Sequence, residues 1–322
     1  MTFASFRDGW ARTDLRIGIA VIVGLEQLVE TIAVASQSQD PRHYLPQGLV
    51  APLLSRIPFV AFVIFAMITI GLVMVARDRR PVLGAIWALA WASLLSAWQT
   101  GLVGSPSRNA FFPGAVLLGW MLGEAWGAAM PSTNRALRER LGEAGALACL
   151  AAAYVGSCAS KLLTVGFAWG DGFSVRALVL RQQPLADWSW LLAYRDAVIT
   201  DPSLARFAAT ATLVIEGGAF LLLFGPRLRL VWATLLFGLH VNITLLCTMP
   251  YVEPMVLLLL LAVPWPRRTK TRDATDAPVL VPRRIAIAIA AIVFAGWLLA
   301  PLGWRDETAT RRSGVSPASG SD

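Results

Sequence analysis

Lysine is almost missing from this chain. Of 28 basic residues in 322, all but two are arginine, and the exceptions are Lys161 and Lys270. Histidine occurs twice, cysteine three times, and charged residues make up only 15%. Each shortage excludes something. Three cysteines do not form a disulfide framework. Cys149 and Cys158 fall on one predicted helix, roughly 13 Å apart at about 1.5 Å per residue, too far to bridge. Buried thiols acting as small apolar side chains fit best, with a Cys158–Cys247 pair as the open alternative. Two histidines, His43 and His240, without HxxxH, CxxC or ExxH spacing, give no metal site. The net charge of +8 comes without a basic face interleaved with aromatics, so nucleic acid is not an expected partner. No internal repeat appears, and a transporter built from inverted halves gains no support.

What the sequence has is apolar length. It is 56% hydrophobic with a mean hydropathy of +0.61, which predicts an all-α, polytopic membrane bundle. Nine spans are expected near residues 15–35, 57–76, 82–103, 110–130, 144–168, 205–224, 230–248, 250–265 and 284–303. Each comes close to the length a ~30 Å hydrocarbon layer requires. The first span resembles a signal peptide, with "AVAS" (33–36) mimicking a cleavage site. Glu26 and Glu30 interrupt its apolar run, so it reads as a retained helix. With the N-terminus inside, the inner segments hold 17 Arg and Lys and the outer ones 10, in line with the positive-inside rule. Nine crossings place the C-terminus outside.

The domain reading follows. Residues 1–265 form a helical membrane domain, 266–283 a basic cytoplasmic linker, 284–303 a further helix and 304–322 a polar tail predicted to be disordered. The connection 169–206 is too long for a turn. Its "VRALVLRQQ" and "DWSWLLAYRDAV" segments predict interfacial helices, with Trp188, Trp190 and Tyr194 at headgroup level. The excess of Ala, and of Arg over Lys, points to a GC-rich bacterial genome and the cytoplasmic membrane.

Ionisable residues at membrane depth are costly and usually face a cavity or a partner. Glu26, Glu30, Lys161, Glu216 and His240 all fall between mid-depth and the outer side, so depth permits them to converge. Each has a plainer reading. Lys161 could snorkel to the headgroups. Glu216 could be a structural partner of an arginine or of Lys161. His240 could bridge two helices. Glu26 and Glu30, four residues apart on one face, could share a proton or simply pack.

The segment "YVGSCASKL" (154–162) resembles the Tyr-x-x-Ala-Gly-x-x-Lys-Leu segment of the vitamin K-dependent gamma-carboxylase family. That family's bacterial relatives are the horizontally transferred transmembrane (HTTM) domain proteins. Tyr154, Lys161 and Leu162 match; Ser157 and Cys158 replace the Ala-Gly pair. "WGDG" (169–172) resembles the family's Trp-x-x-Gly. Residues 211–247 are similar to its pattern of a Glu-bearing helix, a short basic turn and a helix with a mid-membrane His, here Glu216, Arg227, Arg229 and His240. The resemblance covers 150–262 and reaches the earlier spans by layout alone.

The resemblance implies a chemistry. The matching lysine would act as the base that deprotonates reduced vitamin K, and oxygen then yields an epoxide and a strong base. A lysine can serve there because burial favours its neutral form, whereas arginine stays protonated. The implied catalytic set is Lys161, His240, Glu216 and Tyr154. Glu26, Glu30, Asn242 and Trp169 are the expected contacts of a reduced naphthoquinone (vitamin K-type) cofactor, and no metal is implied. Full carboxylases carry a large extramembrane portion after the helical domain. Here one helix and a tail follow residue 284, so the resemblance is to the membrane core. Besides the lipid bilayer, a membrane or periplasmic protein or peptide is an open partner. Two other functions compete: a non-enzymatic component for maturation, export or anchoring of such a partner, and a proton-linked transporter.

Overall fold

The computed structural model describes residues 15–38, 50–54, 56–103, 111–130, 135–248 and 251–262. His43, the 266–283 linker, the span at 284–303 and the tail lie outside them. Every regular element among the described residues is helical: α1 (Leu15–Gln37), the short α2 (Val50–Leu54), α3 (Val60–Ala76), α4 (Pro81–Val103), α5 (Phe111–Ala129), α6 (Arg135–Val165), α7 (Phe173–Arg181), α8 (Ser189–Thr200), α9 (Pro202–Gly217), α10 (Pro226–Cys247) and α11 (Val252–Ala262). Two 3₁₀ segments, Gly166–Asp171 and Gly218–Leu223, extend α6 and α9. Five of these helices are long and apolar enough to cross a membrane: α1, α4, α10, and α6 and α9 with their extensions. Over the described residues the chain is therefore an all-helical membrane protein.

The way α1 is packed shows what surrounds it. Glu26, Gln27, Glu30 and Thr31 are buried, whereas Val21, Leu25, Val29 and Ile32 are 52–66% exposed. A helix in water turns its apolar stripe inward. This one buries Ile19, Val23 and Val34 and exposes a second apolar face as well, keeping its carboxylates inside, because lipid accepts leucine and valine but not carboxylates.

The largest boundary difference from the sequence reading is at α6. Helix α6 begins at Arg135, nine residues before the span expected from 144. Its first turns, "RALRERLGE", are too polar to register as membrane, yet they continue the same helix. There Arg138 donates to Glu124 at 2.8 Å. Of the expected span at 250–265, residues 251–262 are described, and Val252–Ala262 form α11.

Close backbone approach joins α5 to α6. A Cβ on Gly123 would lie 2.0 Å from the Leu141 carbonyl oxygen, and one on Gly145 2.1 Å from that of Gly119. Glycines at such crossings let helices meet without side chains between them, the principal source of association inside lipid. Gly123→Ala should therefore cost about 1–3 kcal/mol through overpacking. Gly238→Ala, with nothing within 4 Å, is the matched control. Unfolding of both variants in mild detergent checks the difference.

At the far end of α6, helices α7 and α8 form a surface layer, where the sequence predicted interfacial helices. Arg195 of α8 is buried and donates to the carbonyls of Val179 (2.8 Å) and Gln182 (2.6 Å) and to that of Leu246. Thr248 donates to the Gln183 carbonyl. The layer is thereby fastened to the C-terminal end of α10. Trp188 and Trp190 stack at 5.7 Å, and both are more than half exposed, the placement of an interfacial aromatic pair.

Candidate functional site

The site is built by α6, α9 and α10. Lys161 lies one turn before the end of α6. Its Nζ donates to Glu216 Oε2 of α9 at 2.5 Å and to Ser157 Oγ at 2.8 Å. Ser157 sits four residues earlier on the same helix, where i and i+4 side chains meet. The Lys161 side chain is 22% exposed and that of Glu216 8%. The charge pair thus sits in the bundle wall, with the carboxylate deeper than the ammonium.

Local geometry explains how Glu216 arrives there. Helix α9 ends at Gly217 and tightens into 3₁₀ from Gly218. A Cβ at Gly218 would lie 2.1 Å from the Trp232 ring. With no side chain there, Trp232 of α10 closes on the backbone and donates from Nε1 to the Ile215 carbonyl at 2.9 Å. The residue next to Ile215 is Glu216, now fixed against α6. A second turn covers the lysine. Gly166, at φ +70, breaks α6 and brings Trp169 back, placing its ring 5.5 Å from Lys161 Nζ. This is within cation–π range.

Deeper in the bundle, Tyr154 OH and His240 Nε2 lie 2.7 Å apart. Both residues are almost fully buried. Phe112 of α5 packs on Tyr154 with centroids 4.9 Å apart, and Tyr251 on His240 at 5.2 Å. His240 Nδ1 has no hydrogen-bond partner among the described residues. Tyr154 precedes Lys161 by seven residues, about two turns on one face.

Other expected contacts lie elsewhere. Asn242 accepts a 2.8 Å hydrogen bond from Tyr194 of the surface layer, so its carbonyl is occupied away from Lys161. Tyr194 is half-buried; burial pushes its phenol upward from the usual range and the Asn242 bond acts the other way. Glu26 and Glu30 lie on α1, which packs on α3, α4, α5 and α11. Gln27 donates to Glu30 at 3.1 Å, and neither Glu26 oxygen has a hydrogen-bond partner among the described residues. Among the described residues no group of three His, Cys, Asp or Glu could hold a metal ion. Cys149, Cys158 and Cys247 are free and buried, so the Cys158–Cys247 alternative is not formed.

Three contributors escaped the sequence reading of the site: Phe112, Tyr251 and Trp232. Each is an aromatic residue, and nothing in the local pattern sets it apart. Ser157 alone left a signal, the i−4 spacing from Lys161.

No family model, curated protein or solved structure matches the chain. The HTTM resemblance therefore stands on its quoted motif residues alone.

Proposed function

We propose that this is a nine-span protein of the bacterial cytoplasmic membrane, N-terminus inside, that uses Lys161 as a base on a lipid-soluble hydroquinone. The reading resembles the membrane core of the vitamin K-dependent carboxylases. The observation that supports it is the 2.5 Å contact between Lys161 and Glu216 at membrane depth. An amine and a carboxyl this close form a unit that exchanges one proton. In a poorly hydrated site the ion pair loses much of its advantage over the neutral pair. With the proton on Glu216, the Lys161 amine is free to take another from a phenolic hydroxyl. The pair then holds one proton more than before, as ammonium and carboxylic acid.

The residues nearby suit a flat aromatic head group. Phe112, Tyr154 and Tyr251 supply ring faces, and the orphaned Nδ1 of His240 supplies a polar contact. A reduced naphthoquinone would bring acidic hydroxyls and two electrons for oxygen. Tyr154 holds His240 by one nitrogen and so fixes which nitrogen faces such a ring.

Mass spectrometry of lipids extracted from the purified protein tests the ligand: a stoichiometric naphthoquinone is expected. Lys161→Arg tests the base. Arginine preserves the charge pair but cannot deprotonate, so oxygen-dependent quinol consumption should fall by about 10²–10⁴-fold while the fold survives. Wild-type turnover in that variant would sink the assignment.

One observation favours a second reading. Lys161 is satisfied by Glu216, Ser157 and Trp169 together, as a purely structural clamp between α6 and α9 would be. On that reading Lys161→Arg is silent in every assay.

A further inference from the structure

We infer that the turn between α3 and α4 binds the phosphate head of an anionic phospholipid. A groove of about 280 Å³ runs along the last turns of α3, lined by Thr69, Ile70, Val73, Met74, Arg77 and Arg79. Its floor is apolar: Ile70 and Val73 are exposed on the outside of a membrane bundle, where acyl chains cover them. Its mouth is cationic. The turn "RDRR" (77–80) carries three arginines and one aspartate. That aspartate is already used, because Asp78 pairs with the buried Arg16 of α1. The side chains of Arg77 and Arg79 are exposed and meet no carboxylate among the described residues.

The turn has a defined shape. Asp78 and Arg80 both take left-handed backbone angles, φ 57 and φ 52, and the Arg79 amide returns to the Met74 carbonyl at 3.0 Å. The guanidiniums are thus presented from a fixed loop, above an apolar strip directed at lipid tails. Guanidinium pairs bind phosphate oxygens with two parallel hydrogen bonds. Basic positions at a helix end next to the bilayer select anionic lipids. One ligand class satisfies both halves of the groove: a phosphodiester with a negative net charge and acyl chains. A zwitterionic lipid offers the same chains, but its own ammonium competes for the phosphate. The inference does not depend on the chemistry at Lys161.

The experiment is native mass spectrometry of the full chain in non-ionic detergent. Phosphatidylglycerol is titrated against phosphatidylcholine of identical acyl chains. Wild type should retain phosphatidylglycerol preferentially, and the preference should shrink as salt rises. Arg77→Gln with Arg79→Gln should weaken phosphatidylglycerol binding by about 10-fold or more, from roughly a factor of five per basic residue at an anionic surface. Arg140→Gln, an exposed arginine on α6, should leave it unchanged. Equal retention of the two lipids by wild type overturns the inference without any variant. So does an Arg140→Gln loss as large as that of the double variant, which would mean diffuse charge. Complete displacement by inorganic phosphate would assign the arginines to a free anion and overturn the lipid.

Discussion

Lys161→Met should destabilise the protein by about 3–5 kcal/mol, the cost of leaving a buried charge without its partner. Glu216 is the residue left behind. Its side chain is short, 8% exposed and held by the α9–α10 contact at Trp232, so it cannot reach water. The opposite truncation is milder. In Glu216→Gln the ammonium keeps Ser157 and the Trp169 face. Lys161 is also four residues from the end of α6, close enough for its long stem to carry the charge outward. About half the loss is expected, and the double variant Lys161→Met/Glu216→Gln should recover most of the stability because no orphan charge remains. Unfolding in bicelles or mixed micelles for the four members of the cycle gives the coupling directly. Equal losses from the two single variants, or a double variant as weak as Lys161→Met, would mean that the pair is not the unit described here.

This cycle also separates stability from chemistry. Lys161→Arg should sit near wild type in unfolding, since the guanidinium can still meet Glu216. If that variant is stable and inactive, the amine is needed as a base. If it is stable and fully functional, the structural clamp is sufficient.

Much of the architecture was legible because lipid imposes length and polarity on every spanning helix. The spans containing Glu26, Lys161 and His240 fall where apolar runs placed them. Depth was legible too, but direction around the helix axis was not. Glu26 and Glu30 share the expected depth with Lys161, yet they lie on α1, which packs on α3, α4, α5 and α11. Asn242 follows His240 by two residues, about 200° around the helix at 3.6 residues per turn. Facing away from His240 is therefore what the helix requires, and there it meets Tyr194. Tyr154, seven residues before Lys161, passes the same angular test. Glu216 was open between an arginine and Lys161; only the fold selects the partner, through the Gly217–Gly218 break that fixes how α9 meets α6 and α10. The early start of α6 escaped because hydropathy marks where lipid begins, not where the helix does.

Arg195→Ala should produce a comparably large effect at the other end of the bundle. This guanidinium is buried and satisfies carbonyls of Val179, Gln182 and Leu246. Two of these stand at the end of α7 and one at the end of α10, where the last carbonyls of a helix have no intrahelical partner. A cation is the group that suits such ends. Alanine leaves the Gln182 and Leu246 carbonyls without their donor, weakens the hold on the Val179 carbonyl, which keeps the Gln182 amide, and loses several charge-assisted bonds, so at least about 3 kcal/mol should be lost. Arg195→Lys restores the charge but not the planar fork that reaches several acceptors together, and should recover only part of the loss. The consequence extends to the candidate site, because Leu246 and His240 belong to the same helix and Tyr194, beside Arg195, holds Asn242. Hydrogen exchange should show α7, α8 and the last two turns of α10 opening together in Arg195→Ala, while α3 and α4 remain protected. Uniform loss of protection along the whole chain would mean that the surface layer is not a separate unit, and that Arg195 acts on the bundle as a whole.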